Sequence, residues 1–152
     1  MIKVETSDIE ILKTLNAGDI VSISGTIYTA RDAAHKKIFA LMKDNMPLPF
    51  PLRNSFVYYT GATPAKDGEP YGSCGPTTSK RMDVYTPDML DAGLKGIIGK
   101  GARTRAVIDA IKRNGAVYFV AIGGAGAFYK SAIKSAEVIA FPEPVSYTHL
   151  RA

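Results

Sequence analysis

The sequence predicts an α/β layered fold, and three observations carry that reading. Strand-like runs rich in β-branched residues alternate with runs of helical period. Residues 104–113 (TRAVIDAIKR) form a clear amphipathic helix, and the continuous apolar run of residues 116–122 (AVYFVAI) follows, as in a strand buried on both faces. Glycine and proline punctuate the junctions.

The elements follow in order. Residues 1–18 mix charged and apolar positions and run into a turn at Ala17-Gly18-Asp19. Residues 20–29 (IVSISGTIYT) alternate and read as a strand, or as a hairpin broken at Gly25. Residues 30–43 follow helical spacing, with Ala34, Ile38, Phe39, Leu41 and Met42 on the apolar face. Pro47, Pro49 and Pro51 impose an extended loop. Residues 55–60 (SFVYYT) are a strand ending at Gly61, and residues 61–76 are loop. A short helix is expected from Thr77 or Thr78 to Val84. Thr86-Pro87 opens another as N-cap and first helical residue, and Gly93 stops it.

Residues 95–98 (KGII) are a brief buried strand leading into Gly99-Lys100-Gly101. In the 104–113 helix Val107, Ile108 and Ile111 face the core, and Asn114-Gly115 closes it. Residues 123–126 (GGAG) turn into a helix near residues 127–133, and residues 136–141 (AEVIAF) are the last strand. No internal repeat or low-complexity stretch interrupts the pattern.

A chain of 152 residues, 46% hydrophobic and 22% charged, is one globular domain with a real core. The net charge of +5 does not point to nucleic acid, because the basic residues are scattered and no aromatic platform interleaves with them. A site for a small dianion accounts for the charge equally well. The single cysteine, Cys74, excludes an internal disulfide and any zinc or iron–sulfur site built from this chain's own thiolates. A reducing, cytoplasmic setting is therefore expected. No signal peptide and no apolar run of membrane-spanning length is visible, so no membrane partner is expected.

The segment with the most chemistry is residues 72–83 (GSCGPTTSKRMD). The Thr77 and Thr78 hydroxyls follow a Gly-Pro turn, and Arg81 comes one helical turn after Thr77. A helix opening there would aim its free N–H groups, the hydroxyls and a guanidinium at one carboxylate or phosphate. An ordinary N-cap would look the same.

The arrangement of strand end, small residues and then a cation occurs three times: Arg31 after IVSISGTIYTA, Arg81 after GSCGPTTSK, and Lys100 after GIIG. Ligands of open α/β sheets bind outside strand ends. Three cations gathered there would suit a small dicarboxylate, with arginine as a bidentate clamp and lysine as a point charge. Each cation taken singly is also at home solvated at a helix end.

Neither glycine motif defines a nucleotide site. Gly99-Lys100-Gly101 lacks the spacing and the following Ser/Thr of a P-loop, and GGAG is not G-x-G-x-x-G. His35 lies one turn after Arg31 and reads as a structural histidine, with a supporting role beside Arg31 as the alternative. Asp32 and Asp83 each neighbour a candidate cation and could orient it, or be ordinary charges near helix starts. Cys74 reads as a small residue in a tight turn.

Five ordered motifs closely resemble the β subunit of two-subunit class I fumarate hydratases, a segment that forms the C-terminal domain in single-chain versions. They are residues 18–37 (GDIVSISGTIYTARDAAHKK), 58–65 (YYTGATPA), 72–83, 97–102 (IIGKGA) and 116–143 (AVYFVAIGGAGAFYKSAIKSAEVIAFPE). The β subunit of L(+)-tartrate dehydratase is similar. The resemblance covers about Asp19 to Glu143. It implies a swivelling β/β/α domain with a layered mixed sheet and flanking helices. It implies a hydro-lyase, of the tricarboxylic acid cycle, that interconverts fumarate and (S)-malate.

In that family a [4Fe–4S] cluster sits in the partner α subunit with one iron open to substrate, and this chain would ligate no metal. Matched motif by motif, the substrate-binding residues implied are Arg31, Thr77, Thr78, Arg81 and Lys100. Thr77, Arg81 and Lys100 take the catalytic roles. Arg31, Arg81 and Lys100 would neutralise the carboxylates and stabilise the charge that develops when the C3 proton leaves. Thr77 positions substrate, or acts as a base if its surroundings lower its pKa far enough. The isolated chain is expected to be inactive.

Two other readings remain open: a tartrate dehydratase β subunit, and a non-catalytic anion-binding module. Ala30 and Ala34 follow the fumarase pattern rather than the tartrate one.

The family pattern stops after Phe141-Pro142-Glu143. Residues 1–143 are read as the family domain, shortened at its C-terminus. Residues 144–152 (PVSYTHLRA) are read as a tail foreign to the family, an artefact at the end of the gene. Missing strands would leave an open sheet edge that favours self-association.

Overall fold

A computed structural model of the chain describes residues 1–61, 63, 65–69, 71–140 and 147–151. Strands β1 (Ile2–Glu5) and β2 (Val21–Ser24) pair parallel in a two-stranded sheet. The larger sheet comprises β3 (Thr26–Thr29), β4 (Phe56–Tyr58), β5 (Gly96–Gly99), β6 (Val117–Val120), β7 (Ser135–Ala140) and β8 (Tyr147–Arg151). Its order is β6-β5-β4-β3-β8-β7. The first four strands in that order are mutually parallel, and β8 runs antiparallel to both β3 and β7. The helices are α1 (Asp32–Lys43), α2 (Thr86–Asp91), α3 (Arg105–Asn114) and α4 (Gly126–Ser131), with 3-10 turns at Glu10–Thr14 and Ser79–Met82.

The alternation of side chains along a strand sorts the core into two clusters. Val57 of β4 and Ile97 of β5 point to one face, where they meet Ala34 and Ile38 of α1, Met89 and Leu90 of α2, and Ala110 of α3. Phe56 and Tyr58, on either side of Val57, point to the other face. There they pack with Val4 of β1, Leu12 of the first 3-10 turn, Ile27 and Phe119. The layers run small sheet, large sheet, helices, so the fold is mixed α/β of the β/β/α kind.

Gly25 explains why residues 20–29 are neither one strand nor a hairpin. The chain leaves β2 and enters β3, in the other sheet, through this residue at φ +112°, a left-handed conformation. A Cβ there would stand 2.3 Å from Thr6 Oγ1, so the close approach also requires glycine. β1 itself went unread in the sequence, because Ile2–Glu5 is four residues long with only Val4 buried.

Two core expectations are corrected. Residues 116–122 are not buried on both faces: β6 ends the sheet, and Val120 and Ile122 are 70% and 76% exposed. In α3, Val107 is buried and Ile111 packs against the core, but Ile108 is 37% exposed and Ala110 takes the inward position. At ~100° per residue, positions 107, 110 and 111 share one narrow stripe and 108 falls at its margin. Thr86 is not the cap of α2 either: Tyr85 occupies that position, and Thr86 Oγ1 donates to the Met82 carbonyl at 2.8 Å.

The backbone of residues 147–151, expected to lie outside the family domain, forms β8 between β3 and β7. The boundary expected between residues 143 and 144 lies outside the described residues. No helix among the described residues is long and apolar enough to cross a membrane.

Candidate functional site

Because β3, β4, β5 and β6 are parallel neighbours, their carboxyl ends lie along one edge. The segments that leave that edge carry the sequence-predicted residues. Arg31 leaves β3 and is the N-cap residue of α1. Its side chain lies against Gly61, just past β4: a Cβ on Gly61 would come within 2.8 Å of the Arg31 Cδ and Nη1 atoms. Lys100 leaves β5 and reaches across to Gly123 beyond β6, its Nζ 3.4 Å from where a Cβ there would be.

The 77–81 segment fills the space between. The Thr77 amide donates to the Tyr59 carbonyl at 2.7 Å, and the Ser79 amide donates to the Lys100 carbonyl at 3.0 Å. Thr78 and Lys100 form an isolated parallel bridge. Arg81 Nε stands 3.5 Å from Asp32 Oδ1, the residue after Arg31. A continuous chain of contacts therefore joins the neighbourhoods of Arg31, Thr77, Thr78, Arg81 and Lys100 on one edge of the sheet. Thr77 and Lys100 are half-buried, whereas Arg31, Thr78 and Arg81 are exposed.

One detail of the expected geometry is corrected. The helix imagined from Thr77 or Thr78 to Val84 is only a four-residue 3-10 turn. The amides of Thr77 and Ser79 are spent on neighbouring strand ends rather than presented to an anion. What the 77–81 segment offers a ligand is therefore positive charge and hydroxyls, not a helix terminus.

Beneath the edge lies a buried polar cluster that the sequence reading missed. The Arg103 and Asp83 side chains are 2% and 5% exposed, and Arg103 Nε donates to Asp83 Oδ1 at 2.7 Å. Asp83 Oδ2 accepts the Thr104 amide at 2.7 Å. Arg103 Nη2 donates to Thr86 Oγ1 at 3.0 Å and to the Tyr59 hydroxyl at 3.2 Å. Thr86 gives its own proton to Met82, so the Tyr59 hydroxyl is the donor in its 3.1 Å contact with Thr86. The guanidinium also lies over the Tyr59 and Tyr118 rings, at 5.2 and 4.9 Å. Burial raises the Tyr59 and Tyr118 phenols above their ordinary pKa, so both stay protonated. Asp83 was singled out in the sequence, but its partner is Arg103 and not a predicted site cation. Nothing local distinguishes Arg103 from the exposed Arg105 two positions on.

His35 is wholly buried beneath Arg31, edge-on to Tyr59 at 5.1 Å. Its Nδ1 lies 3.0 Å from the Arg31 carbonyl. A carbonyl only accepts, so Nδ1 carries the proton and Nε2 is a bare acceptor. Among the described residues Nε2 has no partner, and neither has Arg103 Nη1. Burial lowers the His35 pKa to about 4; the Arg31 carbonyl and Asp32 oppose the shift, and Arg103 adds to it. The imidazole is thus neutral and supports the Arg31 turn from below.

Cys74 is buried, and that burial pushes its thiol up to about 11. Among the described residues no group of three His, Cys, Asp or Glu side chains is arranged to hold a metal ion. The side chains described here do not fit an iron–sulfur cluster. A groove of about 770 Å³ runs along β6, lined in part by Ile20, Ile108, Val120 and Ile122, but none of the five predicted residues lines it. The cationic edge is marked out by its chemistry and not by the size of a cavity.

The fold is thus a β/β/α domain that gathers cations and hydroxyls at the carboxyl edge of its parallel strands, the edge at which open α/β sheets bind ligands. The family described as Fumarase C-terminus matches residues 1–144, and the chain belongs to that family. It is 41% identical over 128 residues to "Fumarate hydratase 2" of Leishmania major, covering 83% of this chain and 22% of that protein. It is 39% identical over 126 residues to "Fumarate hydratase class I, aerobic" of Escherichia coli, covering 81% of this chain and 23% of the relative. It is 36% identical over 133 residues to the "Putative L(+)-tartrate dehydratase subunit beta" of Methanocaldococcus jannaschii, covering 86% of this chain and 68% of that protein. The chain thus spans under a quarter of these two fumarate hydratases and two thirds of the subunit.

Proposed function

We propose that this chain is the β subunit of a class I hydro-lyase that interconverts fumarate and (S)-malate. In this reading Arg31, Arg81 and Lys100 bind the two carboxylates, and Thr77 and Thr78 position the substrate. The partner subunit brings the [4Fe–4S] cluster. The observation that carries the proposal is the meeting of Arg31, Thr77, Thr78, Arg81 and Lys100 segments at the ends of adjacent parallel strands. The relative that is itself called a subunit, the "Putative L(+)-tartrate dehydratase subunit beta", supports a division of labour between two polypeptides.

The chemistry of this chain's residues is electrostatic. A dicarboxylate that loses its C3 proton gains charge on a carboxylate. Fixed cations stabilise that charge more than they stabilise the ground state, which lowers the barrier. When bound in the partner, the cluster supplies a Lewis acid for the departing hydroxyl. Arg31 and Arg81 have the bidentate fork that holds a carboxylate in one plane, and Lys100 adds a point charge from the β5 side. Thr77 is half-buried, with its amide fixed on Tyr59, which suits a positioning hydroxyl. Alone the chain carries half a site and is inactive. Its setting is the reducing cytoplasm, where a cluster enzyme persists.

The tartrate dehydratase subunit among the relatives favours a second reading, an L(+)-tartrate dehydratase β subunit. Anaerobic reconstitution with the cluster-bearing partner, followed by assay with fumarate, (S)-malate and L(+)-tartrate, separates the two. Turnover of fumarate and malate supports the first, and tartrate alone supports the second. If a fully cluster-loaded assembly turns over none of the three, the chain is a binding module.

A further inference from the structure

We propose that Arg103, held by Asp83, is a positioning residue that fixes the loop bearing Arg81 against the loop bearing Lys100. The proposal rests on the hydro-lyase reading only for its effect on turnover. Asp83 lies two residues after Arg81, and Arg103 three residues after Lys100, so their ion pair joins the far ends of the two loops. At the near ends the Ser79 amide donates to the Lys100 carbonyl. The Tyr118 hydroxyl makes a third tie: it donates to the Gly101 carbonyl at 2.9 Å and lies 2.8 Å from Ser79 Oγ. Since Tyr118 spends its proton on Gly101, Ser79 is the donor to it. The Tyr118 ring also carries the Arg103 guanidinium.

The choice of arginine follows from this geometry. One planar fork engages Asp83, Tyr59 and Thr86 together, so it ties the segment after Arg81, the strand-end residue Tyr59 and the start of α2 to one rigid group. A lysine would keep the charge but could not span the three. A displaced cation still attracts a dianion, because Coulomb attraction falls slowly with distance, whereas alignment for reaction is lost within about 1 Å. Loss of the brace should therefore lower kcat more than it raises KM.

The test uses Arg103→Lys and Tyr118→Phe, the second removing only the hydroxyl. In the full chain, hydrogen exchange at the Ser79 amide should accelerate at least tenfold in Arg103→Lys and about threefold in Tyr118→Phe. The amides of Val57 and Ile97 should stay protected. In the reconstituted assembly kcat should fall at least tenfold in Arg103→Lys, with KM changed less than threefold. Unchanged Ser79 exchange in Arg103→Lys overturns the proposal. So does wild-type kcat in an active assembly.

If Arg103→Lys does not fold, unchanged Ser79 exchange in Tyr118→Phe overturns it in the same way. If the wild-type assembly turns over no diacid, the hydro-lyase reading fails while the exchange result still decides the brace.

Discussion

Arg81 Nε lies 3.5 Å from Asp32 Oδ1, and this contact couples the 77–81 segment to the first turn of α1, one residue from Arg31. Both side chains are about half exposed, so the pair is screened by solvent and contributes less than about 1 kcal/mol. Asp32 steers Arg81 without locking it, which in the proposed function leaves the guanidinium free to turn to a substrate carboxylate.

Asp32→Ala should therefore cost little stability. With the helix-dipole contribution of an acidic residue in the first turn included, the loss should stay below about 1.5 kcal/mol. Chemical denaturation measures it. A loss above about 3 kcal/mol would mean that Arg81 is held rigidly.

Gly61 tests Arg31 without touching it. A methyl group there would come within 2.8 Å of the Arg31 Cδ and Nη1 atoms, yet Gly61 is exposed and needs no left-handed conformation. Gly61→Ala should leave the melting temperature within about 2 °C, because only the far end of a flexible side chain must move. In the assembled enzyme it should raise KM for the diacid at least fivefold, about 1 kcal/mol. An unchanged KM would detach Arg31 from substrate.

His35 gives the stability a defined pH dependence. Its folded pKa of about 4 lies below the unfolded value of about 6.5, so the unfolded state binds more protons between those values. The contribution is present in full above about pH 6.5 and is lost as pH falls through about 4. Its size is on the order of 3 kcal/mol. His35→Phe should flatten the slope between pH 4 and 6.5 in urea titrations, whatever its effect on absolute stability. An unchanged slope would show that the imidazole is not held neutral.

Much of the layering was legible because it follows from period. Val57 and Ile97 alternate with their neighbours as strand residues do, and Val107 and Ile111 keep helical spacing. Arg31 and Lys100 stand out in the sequence because each follows a strand-like run, and Arg81 because it follows the Gly-Pro-Thr-Thr segment. Two things were not. The edge position of β6 depends on strand order, so Val120 and Ile122 look like core residues in the sequence. The Arg103–Asp83 pair joins positions 20 residues apart, with no pattern in either neighbourhood to announce it.

Cys74 should resist thiol reagents in the folded chain. Its pKa of about 11 leaves roughly one thiol in a thousand ionised at pH 8, and its side chain is inaccessible. Labelling by a maleimide should require urea. Stoichiometric labelling of the native chain within minutes would contradict the buried placement.

The most direct measurement is the turnover of fumarate by the reconstituted assembly carrying Arg81→Ala. Loss of a cation that stabilises the developing charge should lower kcat/KM at least 100-fold, about 2.7 kcal/mol, while the half-exposed position keeps the fold intact. A variant that folds, assembles and works at the wild-type rate would contradict the account.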